Sequence, residues 1–400
     1  MSGLKILWVG DSPTVNTGFG VVSKNILKQL HNRGYKITCL AVNHHGEPYN
    51  REEFPYDIHP CESGGGPEGI YGMNRLWHIL PQVQPDLLFL FNDPWIIRSY
   101  LEHRPDNISA PYLKTVGYYP VDAGPIKPDT ARLLSEELDA QVCYSHYAER
   151  IIIEANDGKR PDNLHQVYHG VDTKVYRPLN QQAVREELGI PLDSWVVGMV
   201  ARNQYRKRFD ILISAFAKFA KDKDDARLYL HTVLSDVGYD INDLINQFKI
   251  GGKVILTQGM NSPAKGVSDT ELNLIYNSFD ANALISLGDG FGLPVAESMA
   301  VGCPQIVSDH SCLKELVEGH GGITVKNAAW LLHTAGINTW GGVTDEDDLV
   351  AKLEWAYSHR DIMRKYGEEG YKFIMKDQFN WNEIGDKFDS IIKNLFHIIN

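Results

Sequence analysis

The strongest constraint on this chain is an alternation that occurs twice. Short apolar runs with strand character are separated by amphipathic stretches of helical period, the pattern of a mostly parallel sheet with helices on its faces. The first series of strand-like runs is Lys5–Val9, Lys36–Val42, Asp86–Phe91, Leu113–Tyr119, Gln141–Tyr144 and His165–Tyr168. A polar stretch, YRPLNQQAVREELGIPLDS, then reads as a linker with a short helix. The second series is Trp195–Val200, Arg227–Leu230, Lys253–Thr257, Ala281–Leu287 and Gln305–Ser308. An α/β chain of two doubly wound domains is expected, with residues 1–180 forming the first and 181–378 the second. The last segment, 379–400, contains a stretch of helical spacing, WNEIGDKFDSIIKNLF.

Composition narrows the partners. Of 400 residues, 22% are charged and the formal net charge is −12. Residues 1–178 hold 17 Lys and Arg against 21 Asp and Glu, and the remainder 22 against 30. Neither part is basic, so bulk attraction to nucleic acid or an anionic membrane is not indicated. Five cysteines without a CxxC pair suit reduced thiols. No apolar run approaches a membrane span, and the first ten residues read as a strand rather than a signal peptide. The expectation is a cytoplasmic protein, with peripheral membrane contact left open. One long stretch, Asn43 to Gly69, reads as a loop made flexible by Gly64–Gly66, either a lid over an acceptor or plain surface.

In doubly wound sheets ligands collect outside the carboxyl ends of the strands. Two such ends in the second series carry chemistry. GDGFGLPVAESMAVGCP, Gly288 to Pro304, reads as a glycine turn, a short helix opened by Pro294, and a stop at Gly302. A helix start favours an anion, while the flanking Asp289 and Glu297 suit sugar hydroxyls. The same stretch also fits an ordinary βα loop with a solvated Asp and a surface Glu. VVGMVARNQYRKRFDILISAFAKFAKD places Arg202 and Lys207 around the start of another helix, as a clamp for a diphosphate; Arg206 and Arg208 read as solvated. The alternative is a solvated loop.

These motifs resemble a glycosyltransferase of the GT-B fold, in the retaining family four of glycosyl transferases group 1. The family's G-x3-R-x4-K loop is matched by Gly198, Arg202 and Lys207. Its S-x2-E-G-F-G-L-P-x2-E motif is matched by Ser286 and by Asp289 to Glu297. The His169-Gly-Val-Asp172 junction, with Tyr176 and Pro178, and the Val267-Ser-Asp-Thr-Glu271-Leu272 element with Tyr276 match two more. The resemblance implies two Rossmann-like domains facing a central cleft, with the last helix packing back on the first domain. It implies transfer of a sugar, with retention and without a metal, from a UDP- or GDP-sugar to an acceptor hydroxyl. The nucleotide-sugar would be a co-substrate, and no cofactor is expected.

The resemblance also distributes roles. Arg202 and Lys207 would hold the diphosphate and stabilise the leaving nucleotide. Phe291, Gly292 and Leu293 would present amides to phosphate or sugar, Glu297 would take the ribose hydroxyls, and Asp289 would contact the transferred sugar. Gly18 and Gly20 would let the first domain approach the donor phosphates. The chain departs from the family in having Asp289 for Glu, and Tyr118-Tyr-Pro-Val-Asp122 where a His is usual, so Asp122 becomes the candidate near the reaction centre, or else a turn residue. LYLHTVL, with His231 and Thr232, lacks the usual glycine turn. Trp77 and Trp95 are stacking or core aromatics. The acceptor is open among a glycan, a lipid carrier, a small molecule and a hydroxymethylated base in viral DNA. A non-catalytic GT-B protein that only binds a sugar nucleotide is the alternative of a different class. A nicotinamide fingerprint, a GxSxG elbow and a Walker loop are absent. Asp222-Lys-Asp224 and Asp345-Glu-Asp347 sit in charged runs, and His44-His45 lacks metal-ligand spacing.

Overall fold

The computed structural model describes residues 3–62, 65–105, 112–259, 266–333 and 338–398. The chain divides into two compact units, residues 1–170 with 381–400, and residues 171–380.

Unit 1 contains a seven-stranded parallel sheet. Its strands are β1 (Lys5–Asp11), β2 (Lys36–Val42), β3 (Asp57–Pro60), β4 (Leu87–Phe91), β5 (Lys114–Tyr119), β6 (Ala140–Cys143) and β7 (Leu164–Gln166). They lie in the order β3-β2-β1-β4-β5-β6-β7, so the direction of winding reverses between β1 and β4. Covered on both faces, the central strands are apolar throughout; all of Leu87-Leu-Phe-Leu-Phe91 is buried. The helix Gly18–Asn32 starts where the Thr17 hydroxyl accepts the Gly20 N–H, and it buries Val22, Ile26, Leu27 and Leu30 at helical spacing. The C-terminal helix Trp381–Leu395 packs on that helix. It buries Trp381, Ile384, Phe388 and Ile392, and is held at its edge by Arg33 to Asp386 and by the Tyr35 hydroxyl to Asp389.

Unit 2 contains a six-stranded parallel sheet and a hairpin. The sheet strands are β8 (Trp195–Val200), β9 (Ala226–His231), β10 (Val254–Leu256), β11 (Ala281–Leu284), β12 (Gln305–Ser308) and β13 (Gly322–Val325), in the order β10-β9-β8-β11-β12-β13. β14 (Asn327–Leu332) and β15 (Trp340–Thr344) form the antiparallel hairpin. Here the reversal lies between β8 and β11. Gly198, inside β8, has the Phe279 ring where a Cβ would stand, so it is a packing residue.

Several expectations change. The stretch Asn43–Gly69 is not one loop: Asp57–Pro60 pairs in parallel with β2 as the edge strand, and Gly66–Ile70 is helical. Ser63 and Gly64 lie outside the described residues, so the flexible-glycine reading is not addressed at Gly64. Edge strands are half exposed and tolerate proline, which is why DIHP carries no strand signal. The polar run after Tyr176 is not a free linker. Arg177 and Leu179 donate backbone N–H bonds to Asn273 and Asn277, and Arg185, 4% exposed, binds the Ser194 and Ser278 carbonyls and Asp280. The division therefore falls at Gly170–Val171, ahead of residue 180. β13 and the hairpin were not foreseen. All five cysteines are buried. Trp77 belongs to the core, whereas Trp95 is exposed. Among the described residues, no helix is long and apolar enough to cross a membrane.

Candidate active site

The reversal point of unit 2 gathers most of the chemistry. The loop after β8 carries Arg202, Arg206 and Lys207; the loop after β11 carries Asp289 and leads into the helix Leu293–Ala300. Three links hold these loops together. The Leu287 N–H donates to the Arg206 carbonyl at 2.8 Å, the Asp289 N–H donates to Ser311 Oγ at 3.1 Å, and the Gly342 N–H donates to the Leu287 carbonyl at 3.0 Å. The hairpin and the loop after β12 thus brace the glycine turn.

Lys207 and Asp289 form a buried ion pair. Lys207 Nζ lies 2.7 Å from both carboxylate oxygens, and each residue is 6% exposed. Arg206 Nη1 donates to the Gly288 carbonyl at 2.8 Å and reaches Asp289 Oδ1 at 3.2 Å. Burial opposes ionisation of Asp289, but the charges of Lys207 and Arg206 outweigh it and hold the carboxyl below its ordinary range. Asp289 is thus not a solvated loop carboxylate, and Arg206 is not a solvated cation. Two cations and one carboxylate leave this cluster with a net charge of about +1, suited to an anion. Arg208 is likewise engaged, bidentate to Asp210 at the start of the following helix.

Arg202 points elsewhere. Its Nε donates to Asp236 Oδ2 at 2.7 Å, with the guanidinium side chain 46% exposed. Arg202 holds the Asp236 carboxyl below its ordinary range despite some burial. Beside it Asn203, fully buried, binds the Val233 and Tyr239 carbonyls and accepts the Tyr239 N–H. Tyr239 stacks on Tyr205 at 5.8 Å. The loops after β8 and β9 are therefore one unit. Asp236 and Tyr239 lie beyond His231 and Thr232 in an irregular loop that carries no periodic signal, so the sequence does not single them out.

The glycine turn is built as the sequence suggests. Gly292 has φ +86°, and a Cβ there would lie 2.7 Å from Leu313 Cδ2. With Pro294 in the first turn, the helix opens with Gly292 and Leu293 amides that face none of its own carbonyls. Phe291 is buried and contacts the Phe379 ring, while Leu293 is partly exposed. Glu297, 7% exposed, accepts the Tyr276 hydroxyl at 2.8 Å. Burial raises its carboxyl to about 8, against the Tyr276 hydrogen bond that lowers it, with a further rise from Asp269. Tyr276, matched to a family element in the sequence without a role there, is the group that fixes this carboxyl. His231 ends β9 and His310 follows β12, with β8 and β11 between them in the sheet, and burial lowers each ring to about 4.

Asp122, Gly18 and Gly20 lie in unit 1. Gly18 is exposed in the first turn of its helix. A Cβ on Gly20 would fall 2.2 Å from the Val15 carbonyl, so the loop before the helix closes against it. Asp122, partly exposed, follows β5. Among the described residues, no group of three His, Cys, Asp or Glu side chains converges as a metal site.

Residues 180–373 match the family described as glycosyl transferases group 1. A D-inositol 3-phosphate glycosyltransferase of Stackebrandtia nassauensis is 26% identical over 225 residues, covering 52% of this chain and 49% of the relative. The chain thus spans about half the length of that curated relative. Among solved structures, a sucrose-phosphate synthase of Thermosynechococcus elongatus superposes with a TM-score of 0.75 at 15% identity, covering 100% of both chains. Anabaena HepE, solved in complex with UDP and glucose, gives 0.72 at 15% identity, over 98% of this chain and 100% of that one. The two parallel sheets are those of the GT-B fold.

Proposed function

From the premise that residues 180–373 belong to glycosyl transferases group 1, we propose that the chain moves a sugar from a nucleotide-diphosphate sugar to an acceptor hydroxyl. One observation carries the reading. The cationic Arg206–Lys207–Asp289 cluster, the helix start at Gly292–Leu293 and the carboxyl of Glu297 meet at the reversal point of one sheet. In this reading the donor is a UDP- or GDP-sugar. Its diphosphate lies against Lys207 and the Gly292 and Leu293 amides, and Arg202 turns from Asp236 to join them. Glu297 takes the ribose hydroxyls, and Asp289, oriented by Lys207 and Arg206, faces the transferred sugar. Phe291 closes the turn behind the phosphates. Unit 1 supplies the acceptor side, with Asp122 as its candidate for the acceptor hydroxyl.

The fixed cations and amides meet the charge that develops on the leaving diphosphate, so the reading needs no metal. Transfer proceeds with retention, the leaving phosphate helping to take the proton of the attacking hydroxyl. The test is nucleotide release from a panel of UDP-, GDP- and ADP-sugars, with and without chelator. Release from one donor, unchanged by chelator and reduced about 10²–10³-fold in Lys207→Ala, is expected. Release abolished by chelator would overturn the metal-free part, and an inverted anomeric configuration in the product would overturn retention. Binding of a donor with no release under any acceptor would leave a sugar-nucleotide-binding protein in place of a transferase.

A further inference from the structure

Unit 1 has its own reversal point, and its strand ends carry a set of side chains that the donor site does not use. Asp11 is the last residue of β1, Asp93 follows β4 and precedes the helix Pro94–Glu102, Asp122 follows β5, and Tyr144 follows β6. These four strands are consecutive neighbours in the sheet. Their registers pair Val9 with Leu90, Phe91 with Tyr118, and Tyr119 with Cys143, so the four residues leave the sheet along one edge. The stretches 11–20, 92–95, 120–125 and 144–146 hold these three aspartates and no Lys or Arg.

Tyr144 is an independent observation. It is 3% exposed, and among the described residues its hydroxyl has no hydrogen-bond partner. The ring is fixed by Tyr118 at 4.5 Å and His169 at 4.1 Å. Burial first, then Tyr118, and then the charges of Asp93, Asp122 and Asp11 disfavour its ionisation, so hydroxyl and carboxylates share one neighbourhood. A buried hydroxyl left unpaired is unfavourable, and an oxygen supplied from outside the protein would satisfy it. Asp11 is set in place by the Thr17 hydroxyl at 2.6 Å and by Asn43 at 3.2 Å.

We propose that this edge, formed by Asp11, Asp93, Asp122 and Tyr144, is an acceptor subsite for a neutral polyol, a sugar or cyclitol with free hydroxyls, and that it excludes phosphorylated acceptors. Carboxylates accept hydrogen bonds from several hydroxyls at once, and the Tyr144 hydroxyl donates to a ligand oxygen. A phosphate placed there would meet the like charge of three carboxylates, so discrimination comes from repulsion as well as attraction. The word acceptor rests on the transferase reading; the binding chemistry does not.

The test measures binding, without nucleotide, of glucose and myo-inositol against their monophosphates to the full chain, by saturation-transfer NMR and titration calorimetry. The neutral probes should bind, and the phosphates about tenfold or more weakly. Tyr144→Phe, which keeps the packed ring, should weaken the neutral probes several-fold. Asp93→Asn should narrow the gap between neutral and phosphorylated probes, whereas a merely structural role would weaken both together; thermal melts check that each variant is folded. Phosphates binding as tightly as neutral probes, a gap unmoved by Asp93→Asn, or no neutral binding at all would overturn the proposal. Neutral binding without nucleotide release from any donor would overturn the transferase reading alone.

Discussion

Lys207 and Asp289 are each costly to bury alone and are stable only as a pair. Removing one should hurt more than removing both. The double variant Lys207→Met with Asp289→Leu should recover about 0.5–3 kcal/mol relative to the summed single losses, read from urea unfolding. The depressed Asp289 carboxyl contributes stability that is present above the ordinary carboxylate range and is lost as pH falls through its folded value. Glu297 acts with the opposite sign. Its folded value of about 8 lies above the unfolded one, so the folded state holds a proton that the unfolded state has released. Stability should therefore fall as pH rises from about 4.5, the unfolded range, through the folded value. Glu297→Gln should flatten that decline in melting temperature between mildly acidic and mildly alkaline buffer; an unchanged slope would count against a buried, protonated Glu297. In the Arg202–Asp236 pair the guanidinium side chain is 46% exposed and the carboxylate side chain 10%, and the pair is worth about 1 kcal/mol. Asp236→Asn should thus tighten UDP or GDP binding by up to about fivefold, since Arg202 no longer has to leave a partner. Calorimetric titration reads this directly, and weaker binding would mean that Asp236 itself serves the ligand.

At the scale of elements, the site depends on how a strand passes into a helix. Gly292 holds a left-handed backbone conformation against Leu313, and it sets where the helix Leu293–Ala300 begins. Gly292→Ala should cost about 1–2 kcal/mol for the backbone alone, with more from the clash, and should displace the amides on which the donor site relies. Loss of nucleotide binding beyond the loss of stability, measured on folded protein well below its melting temperature, is the expected signature. This turn was legible beforehand because glycine and proline have few other uses in such spacing. The edge strand β3 was not, because four half-exposed residues ending in proline lack the alternation or apolar run that marks a strand. The short β13 and the hairpin are defined by their pairing partners rather than by their own composition.

For the whole molecule, the C-terminal helix decides whether unit 1 is complete. Trp381, Ile384, Phe388, Ile391 and Ile392 are buried. Each contributes about 1.5–3 kcal/mol, together comparable to the ~5–15 kcal/mol that stabilises a domain. A chain ending before Trp381 should lose the cooperative melting of unit 1 while unit 2 retains its own transition in calorimetry. Helix docking is tight as well: a Cβ on Gly385 would fall 2.7 Å from both Arg33 Nη1 and Gln29 Cβ, so Gly385→Val should lower the same transition.

Local signals suffice where one residue type has one physical use. Apolar runs gave away the central strands, since buried parallel strands must be apolar on both faces. The glycine turn and the cations beside it marked the donor-side loops, since backbone geometry and charge are written in residue identity. Pairing is different, because it depends on atoms far apart in the chain. That Lys207 meets Asp289, that Arg202 meets Asp236, that a buried Glu297 accepts from Tyr276, and that Tyr144 stands in the field of three aspartates follow from strand order and loop bracing. Electrostatics and hydrogen bonding act over a few ångströms of space, whatever the distance along the sequence, so only the tertiary structure could decide them.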